Sequence, residues 1–141
     1  MIRFATEKDR ESIQRISNMY SKDLLMGTLT DEQMTGIIDI CLSTGVILLA
    51  EREGKVVGIL AGRFIDGFNM GKFFEEVVWF VDPNYRGLGI MLFKRLLQTC
   101  EENDCKGVAM TAYCNEHFEG VDKLYKRSGF REIETKYYKT L

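Results

Sequence analysis

The sequence predicts one α/β domain organised around a mixed sheet, and three observations carry that prediction. Apolar residues recur at helical spacing in four stretches, about 13–20, 34–42, 88–100 and 121–125. Apolar runs rich in β-branched and aromatic residues lie between them, at 46–50, 56–61 and 73–81. A length of 141 residues, 45% hydrophobic and 28% charged, suits one globular domain and excludes a disordered or fibrous chain. The expected order is β-α-α-β-β-β-α-β-α-β. No repeat, linker or low-complexity stretch divides it, so residues 1–141 are taken as a single domain.

Each element has a local cause. Ile2-Arg3-Phe4 alternates as a short strand. Thr6-Glu7-Lys8-Asp9 supplies an N-cap with acid in the first turn, ahead of a helix over 7–20. Residues 24–29 contain Gly27 and no period, and are expected to connect. Thr30-Asp31-Glu32-Gln33 has Gln three positions after Thr, the capping-box signature, and Gly45 is expected to end the helix behind it. Val46-Ile47-Leu48-Leu49-Ala50 has no polar face, as in a strand covered on both sides. Glu53-Gly54-Lys55 turns the chain into its partner strand, and Gly67, Asn69 and Gly71 mark a loop. The strand over 73–81 ends at Asp82-Pro83-Asn84, where Pro83 presets φ and its neighbours tolerate tight conformations. A helix from Leu88, a strand at 108–112 and a short helix closed by Ser128-Gly129 follow. The weakly alternating segment 130–138 is expected to form a last strand or strand pair.

Composition removes several function classes. A net charge of −2 gives no global attraction to nucleic acid or an anionic membrane. The basic run Lys123, Lys126, Arg127 and Arg131 is interrupted by acids and reads as a solvated face or an attraction for a cofactor phosphate. An RNA-associated module remains a third, weaker idea. Cys41, Cys100, Cys105 and Cys114 form no CxxC pair and, with His117 as the single histidine, no zinc spacing, so no metal site is expected. No apolar run approaches the roughly 20 residues that span a bilayer. Met1-Ile2-Arg3-Phe4-Ala5 is charged too early for a signal peptide. The expectation is a cytoplasmic protein with reduced thiols.

The segment that carries chemistry is Val81-Asp82-Pro83-Asn84-Tyr85-Arg86-Gly87-Leu88-Gly89-Ile90: a buried strand, a tight turn, Arg-Gly-x-Gly, and an amphipathic helix. A helix N-terminus has amides without internal partners and about half a positive charge. Glycines there let phosphates approach those amides, and Arg86 adds a fixed cation. Phosphate or pyrophosphate binding is the physical expectation; a plain tight turn is the alternative. A dinucleotide fingerprint needs a third glycine where Leu92 stands, and a P-loop needs Gly-Lys-Ser/Thr, which is absent.

Val-Asp-Pro-x-Tyr-Arg-Gly-x-Gly-Ile, opening a Leu-rich helix, resembles the acyl-CoA signature of the GNAT superfamily of N-acyltransferases. Leu124-Tyr125-Lys126-Arg127-Ser128-Gly129-Phe130 is similar to that family's second signature. Met91 stands where the family has a small residue. The resemblance implies a GNAT-like α/β fold: a mixed, mostly antiparallel sheet of six to seven strands, splayed at its centre, with about four helices. It also implies acetyl-CoA as co-substrate. The pyrophosphate is expected on the amides of Arg86, Gly87, Leu88, Gly89, Ile90 and Met91. The pantetheine arm is expected to pair with the backbone at Phe80 and Val81, where a main-chain N–H polarises the thioester carbonyl. Asn115 is a further expected contact to the arm.

Two proton transfers remain. Tyr125 matches the family's general-acid position and is expected to protonate the departing thiolate; without the motif it reads as a core aromatic. For the incoming ammonium, Glu75 is the preferred base, with Glu76 and His117 as alternatives and solvated loop or strand positions as the bland reading. The implied activity is acetyl transfer from acetyl-CoA to a primary amine of a small molecule or a peptide. The alternative is a non-catalytic acyl-CoA-binding or interaction domain. Acceptor specificity is expected from segments 19–31 and 65–73. Phe68 and Tyr137-Tyr138 are candidates for a homodimer contact.

Overall fold

A computed structural model describes residues 1–23, 30–67, 69 and 71–141. The connection expected at 24–29 and Phe68 lie outside the described residues. The described chain forms two compact units, Met1–Met110 and Thr111–Leu141.

The first unit holds a sheet in the order β1-β2-β3-β4-β5 and three helices. The strands are β1 (Ile2–Phe4), β2 (Gly45–Arg52), β3 (Lys55–Gly67), β4 (Gly71–Val81) and β5 (Gly107–Ala109). The helices are α1 (Arg10–Asp23), α2 (Asp31–Thr44) and α3 (Leu88–Glu102). β1 to β4 pair antiparallel and β5 joins β4 in parallel, so the sheet is mixed as expected. Both capping sequences act as read. Thr6 and Asp9 exchange side-chain and backbone bonds at a short 3-10 turn before α1, and Thr30 does the same with Gln33 at α2. Glu53 and Gly54 both take positive φ, 53° and 73°, in the β2–β3 hairpin.

The unpatterned run of β2 is divided between two cores. Ile47 and Leu49 pack with Ile13, Ile16, Met34, Ile38 and Cys41 under α1 and α2. Val46, Leu48 and Ala50 pack with Leu88, Leu92, Leu96 and Cys100 of α3 on the opposite face. A strand buried on both sides therefore needs no polar alternation. Gly45 ends α2 and begins β2 for a reason the cap alone does not contain: a Cβ there would lie 1.9 Å from the Gly62 carbonyl oxygen and 2.6 Å from Arg63 Cα.

The second unit contains α4 (Phe118–Arg127). Residues 130–138 form no strand, which corrects the expected sheet of six to seven strands to five among the described residues. Ile133, Thr135 and Tyr137 alternate with Glu132, Glu134 and Lys136, but the segment pairs with no described strand, and alternation without a ladder makes no strand. Residues 131–141 are exposed, Tyr137 and Tyr138 at 92% and 86%. Among the described residues no helix is long and apolar enough to cross a membrane.

Candidate functional site

The candidate site starts in β4, the strand with most of the expected residues. Its pairing with β3 slips between Ala61 and Gly62: Gly62 faces Glu76 and Ala61 faces Val78, leaving Val77 as an extra residue. This bulge resets the alternation. Val77, Val78 and Phe80 join the α1/α2 core, while Trp79 and Val81 join the α3 core. The parallel ladder to β5 covers only Phe73, Phe74 and Glu75, ending at Glu75 opposite Ala109, while β4 continues along β3 to Val81.

The turn after β4 is locked by its own residues. The Asp82 amide donates to the Val57 carbonyl (2.8 Å), the Asp82 side chain accepts from the Asn84 amide (3.0 Å), and the Tyr85 amide donates to the Asp82 carbonyl (2.8 Å). Pro83 sits in the first helical turn, where its missing N–H costs nothing. The chain enters α3 through Gly87, which has helical φ and ψ (−57°, −24°) and no side-chain cap. A Cβ on Gly87 would meet nothing within 4 Å, so the space beside its Cα is open. Gly89 differs. It is buried, a Cβ there would meet Val81 and Trp79 at 3.7–3.9 Å, and its amide already donates to the Arg86 carbonyl (3.0 Å). Gly89 thus lies against the end of β4 at ordinary contact distance, while Gly87 leaves the approach clear.

The helix is seated by its apolar stripe. Leu88, Leu92, Phe93 and Leu96 are buried, and Phe93 stacks on Trp79 with centroids 5.5 Å apart. Ile90 and Met91 are 40% and 49% exposed on the other side. Arg86 is exposed and has no ion pair among the described residues.

Glu75 is a cross-strand neighbour of Arg63, whose Nη2 lies 3.1 Å from Glu75 Oε1; the side chains are 41% and 46% exposed. The pair borders an open pocket of about 140 Å³ lined also by Ile37, Ile40, Cys41 and Val77. Burial pushes the Cys41 thiol up to about 11, so it stays protonated there. Glu76, next along the strand, belongs to the opposite face. Arg63 escaped the sequence analysis, because only the register of the β3–β4 hairpin brings it opposite Glu75.

In the second unit, Tyr125 is buried, and its hydroxyl donates to the Thr111 carbonyl (2.8 Å). The Tyr-x-x-x-Gly-Phe run is a helix stop: Gly129 takes φ 89°, its amide donates to the Lys126 carbonyl, and the Phe130 amide donates to the Tyr125 carbonyl (2.9 Å). The Phe130 ring folds back to 5.4 Å from Tyr125, the apolar contact of a Schellman motif. Asn115 is exposed and shapes the start of α4, its side-chain oxygen accepting from the His117 amide (2.9 Å). His117 is exposed, 3.3 Å from the Glu116 carboxylate. Lys126 pairs with Asp122 at 2.8 Å, and that hydrogen bond raises its pKa.

Solved structures share this architecture at low sequence identity. A ribosomal-protein-alanine N-acetyltransferase from Brucella melitensis biovar Abortus 2308 aligns over 100% of this chain and 98% of its own, with a TM-score of 0.80 and 18% identity. An aminoglycoside antibiotic 6'-N-acetyltransferase from Acinetobacter haemolyticus aligns over 100% and 97%, with a TM-score of 0.73 and 15% identity. AAC(6')-Iy in complex with the bisubstrate analogue CoA-S-monomethyl-acetylneamine aligns over 100% and 97%, with a TM-score of 0.76 and 16% identity. A search of curated protein sequences gave no match. The model of the acetyltransferase (GNAT) family matches residues 13–130, a span that includes both signatures, and the chain therefore belongs to that family of acyltransferase enzymes.

Proposed function

We propose that this chain transfers the acetyl group of acetyl-CoA directly to a primary amine of a small molecule or peptide. One observation carries the reading: the uncapped entrance to α3 at Gly87, open on its outer side, stands at the end of a strand whose ladder to β5 has stopped at Glu75. Members of the family use acetyl-CoA, and one structural neighbour is a complex with a CoA-containing analogue.

The residues present fit that co-substrate. The amides of residues 86–91, that of Gly89 shared with the Arg86 carbonyl, hold the diphosphate together with the Arg86 guanidinium, and the open space at Gly87 is where a Cβ would crowd it. Met91 is 49% exposed, which supports a position at the edge of this cradle rather than in the core. Phe80 and Val81 offer backbone groups to the pantetheine arm as an added strand does, with an N–H there directed at the thioester oxygen. Asn115 is a further proposed contact to the arm. Bound acetyl-CoA supplies an activated thioester carbonyl. Glu75, or else Glu76 or His117, accepts the proton that the incoming ammonium must lose. Tyr125 gives a proton to the leaving sulfur, for which its hydroxyl turns away from the Thr111 carbonyl. A cytoplasmic location suits the free thiols.

Calorimetry with CoA and thiol release from acetyl-CoA across an amine panel test the reading together. Saturable CoA binding at micromolar to low millimolar concentration, with amine-dependent thiol release, is expected. Failure of CoA to bind at millimolar concentration would remove the cradle and the function with it.

A further inference from the structure

The pocket between α2 and the β3–β4 hairpin has a chemical character that the transfer reaction alone does not demand. Ile37, Ile40, Cys41 and Val77 make its apolar lining, and the Arg63–Glu75 pair supplies one cation and one anion at its side. Because both partners are over 40% exposed, the pair contributes little and opens easily. Glu75 is also the last β4 residue in the β5 ladder and Val77 is the bulge residue, so the pocket meets the strand where its second edge is released.

We propose that this pocket is the acceptor subsite and that it selects a free α-amino acid with a short apolar side chain. The proposal rests on the acetyl-transfer reading above and names its substrate class. A zwitterion placed between Arg63 and Glu75 exchanges one ion pair for two: its carboxylate meets the guanidinium and its ammonium meets the Glu75 carboxylate. Its side chain enters the apolar lining, whose volume of about 140 Å³ has room for a short aliphatic side chain. A peptide N-terminus or a simple amine leaves Arg63 without its second anion, and a polyamine or aminoglycoside sets further cations against it. The protonated Cys41 thiol adds no competing charge. In the reaction the ammonium gives one proton to the base, its nitrogen bonds to the acetyl carbon, and the nitrogen then gives up a second proton, which restores the acid through solvent. The carbon–sulfur bond breaks, and CoA leaves as a thiol with the proton supplied by the acid.

The test uses the full chain and compares L-leucine, L-leucinamide, 3-methylbutylamine and glycine as acceptors. It also includes calorimetry of L-leucine into CoA-saturated protein. L-leucine is expected to exceed its amide and the amine at least tenfold in kcat/KM. Arg63→Gln brings the leucine-to-leucinamide ratio to within threefold of one with the KM for acetyl-CoA unchanged. Ile40→Trp lowers the kcat/KM for leucine more than that for glycine, and thermal melts confirm that both variants fold. Equal use of leucine, leucinamide and amine, or an unchanged ratio in Arg63→Gln, overturns the subsite and leaves acetyl transfer standing. Leucine binding that Arg63→Gln abolishes, with no turnover on any amine, supports the subsite and overturns the transfer reading. Neither binding nor turnover overturns both.

Discussion

Replacing Asp9 with alanine is expected to destabilise the fold by about 2–3 kcal/mol, from two separate losses. Asp9 is 8% exposed and closes the capping box by accepting from the Thr6 amide at 2.7 Å, worth about 1 kcal/mol. Its two oxygens also take both terminal nitrogens of Arg3, each at 2.9 Å, while Arg3 Nε reaches Glu51 at 2.6 Å. That fork ties β1, β2 and the turn before α1 together. With Arg3 about a third exposed, the charged bonds contribute about 1–2 kcal/mol rather than a buried pair's full value. For 141 residues, each kcal/mol moves Tm by about 3–5 °C, so a fall of roughly 10 °C is expected at pH 7. The sign with pH follows from the same contacts. The Arg3 guanidinium holds the Asp9 carboxyl well below the usual carboxylate range. Its stabilising effect is therefore complete above the unfolded value of about 3.9 and is lost as pH falls toward the folded value. Thermal melts of wild type and Asp9→Ala should converge steadily below about pH 4. Melts within 2 °C of each other at pH 7, or a gap that widens on acidification, would refute the reasoning.

Three substitutions extend the test to the site and the sheet. Gly45→Ala should cost several kcal/mol or prevent folding, since its Cβ would lie 1.9 Å from a backbone oxygen that no side-chain rotation can clear; circular dichroism melts decide it. Gly87→Glu should leave Tm within about 3 °C, because the position is open and unstrained. Its added negative charge should weaken CoA binding at least tenfold by calorimetry, and unchanged affinity would locate the diphosphate elsewhere. Tyr125→Phe keeps the ring on Phe130 but removes the hydroxyl that donates to the Thr111 carbonyl. About 1 kcal/mol of stability and at least tenfold of turnover should go, with CoA affinity retained; wild-type turnover would confine Tyr125 to its structural hydrogen bond.

What was legible in the sequence is what a few neighbouring residues decide among themselves. Thr6 with Asp9 and Thr30 with Gln33 form caps because side chain and amide stand three positions apart in any chain. Gly129 permits the positive φ that lets Phe130 return to Tyr125, so a run matched first as a family signature is also a local helix stop. The same holds for the turn at Asp82-Pro83-Asn84 and for the apolar stripe of α3, which together place the open position Gly87 just after the end of β4. The parts of the proposed phosphate cradle are consecutive, which is why the sequence alone suggests it.

Tertiary structure decided everything that depends on which backbone lies alongside which. The bulge at Val77, the stop of the β5 ladder at Glu75 and the pairing of Arg63 with Glu75 are properties of strand register, and register joins residues that the sequence keeps apart. Gly45 reads locally as a cap, yet the closest constraint on it is the β3 backbone. Segment 130–138 shows the converse: alternation suggests a strand, but a strand exists only where a ladder forms, and this segment has no partner strand among the described residues.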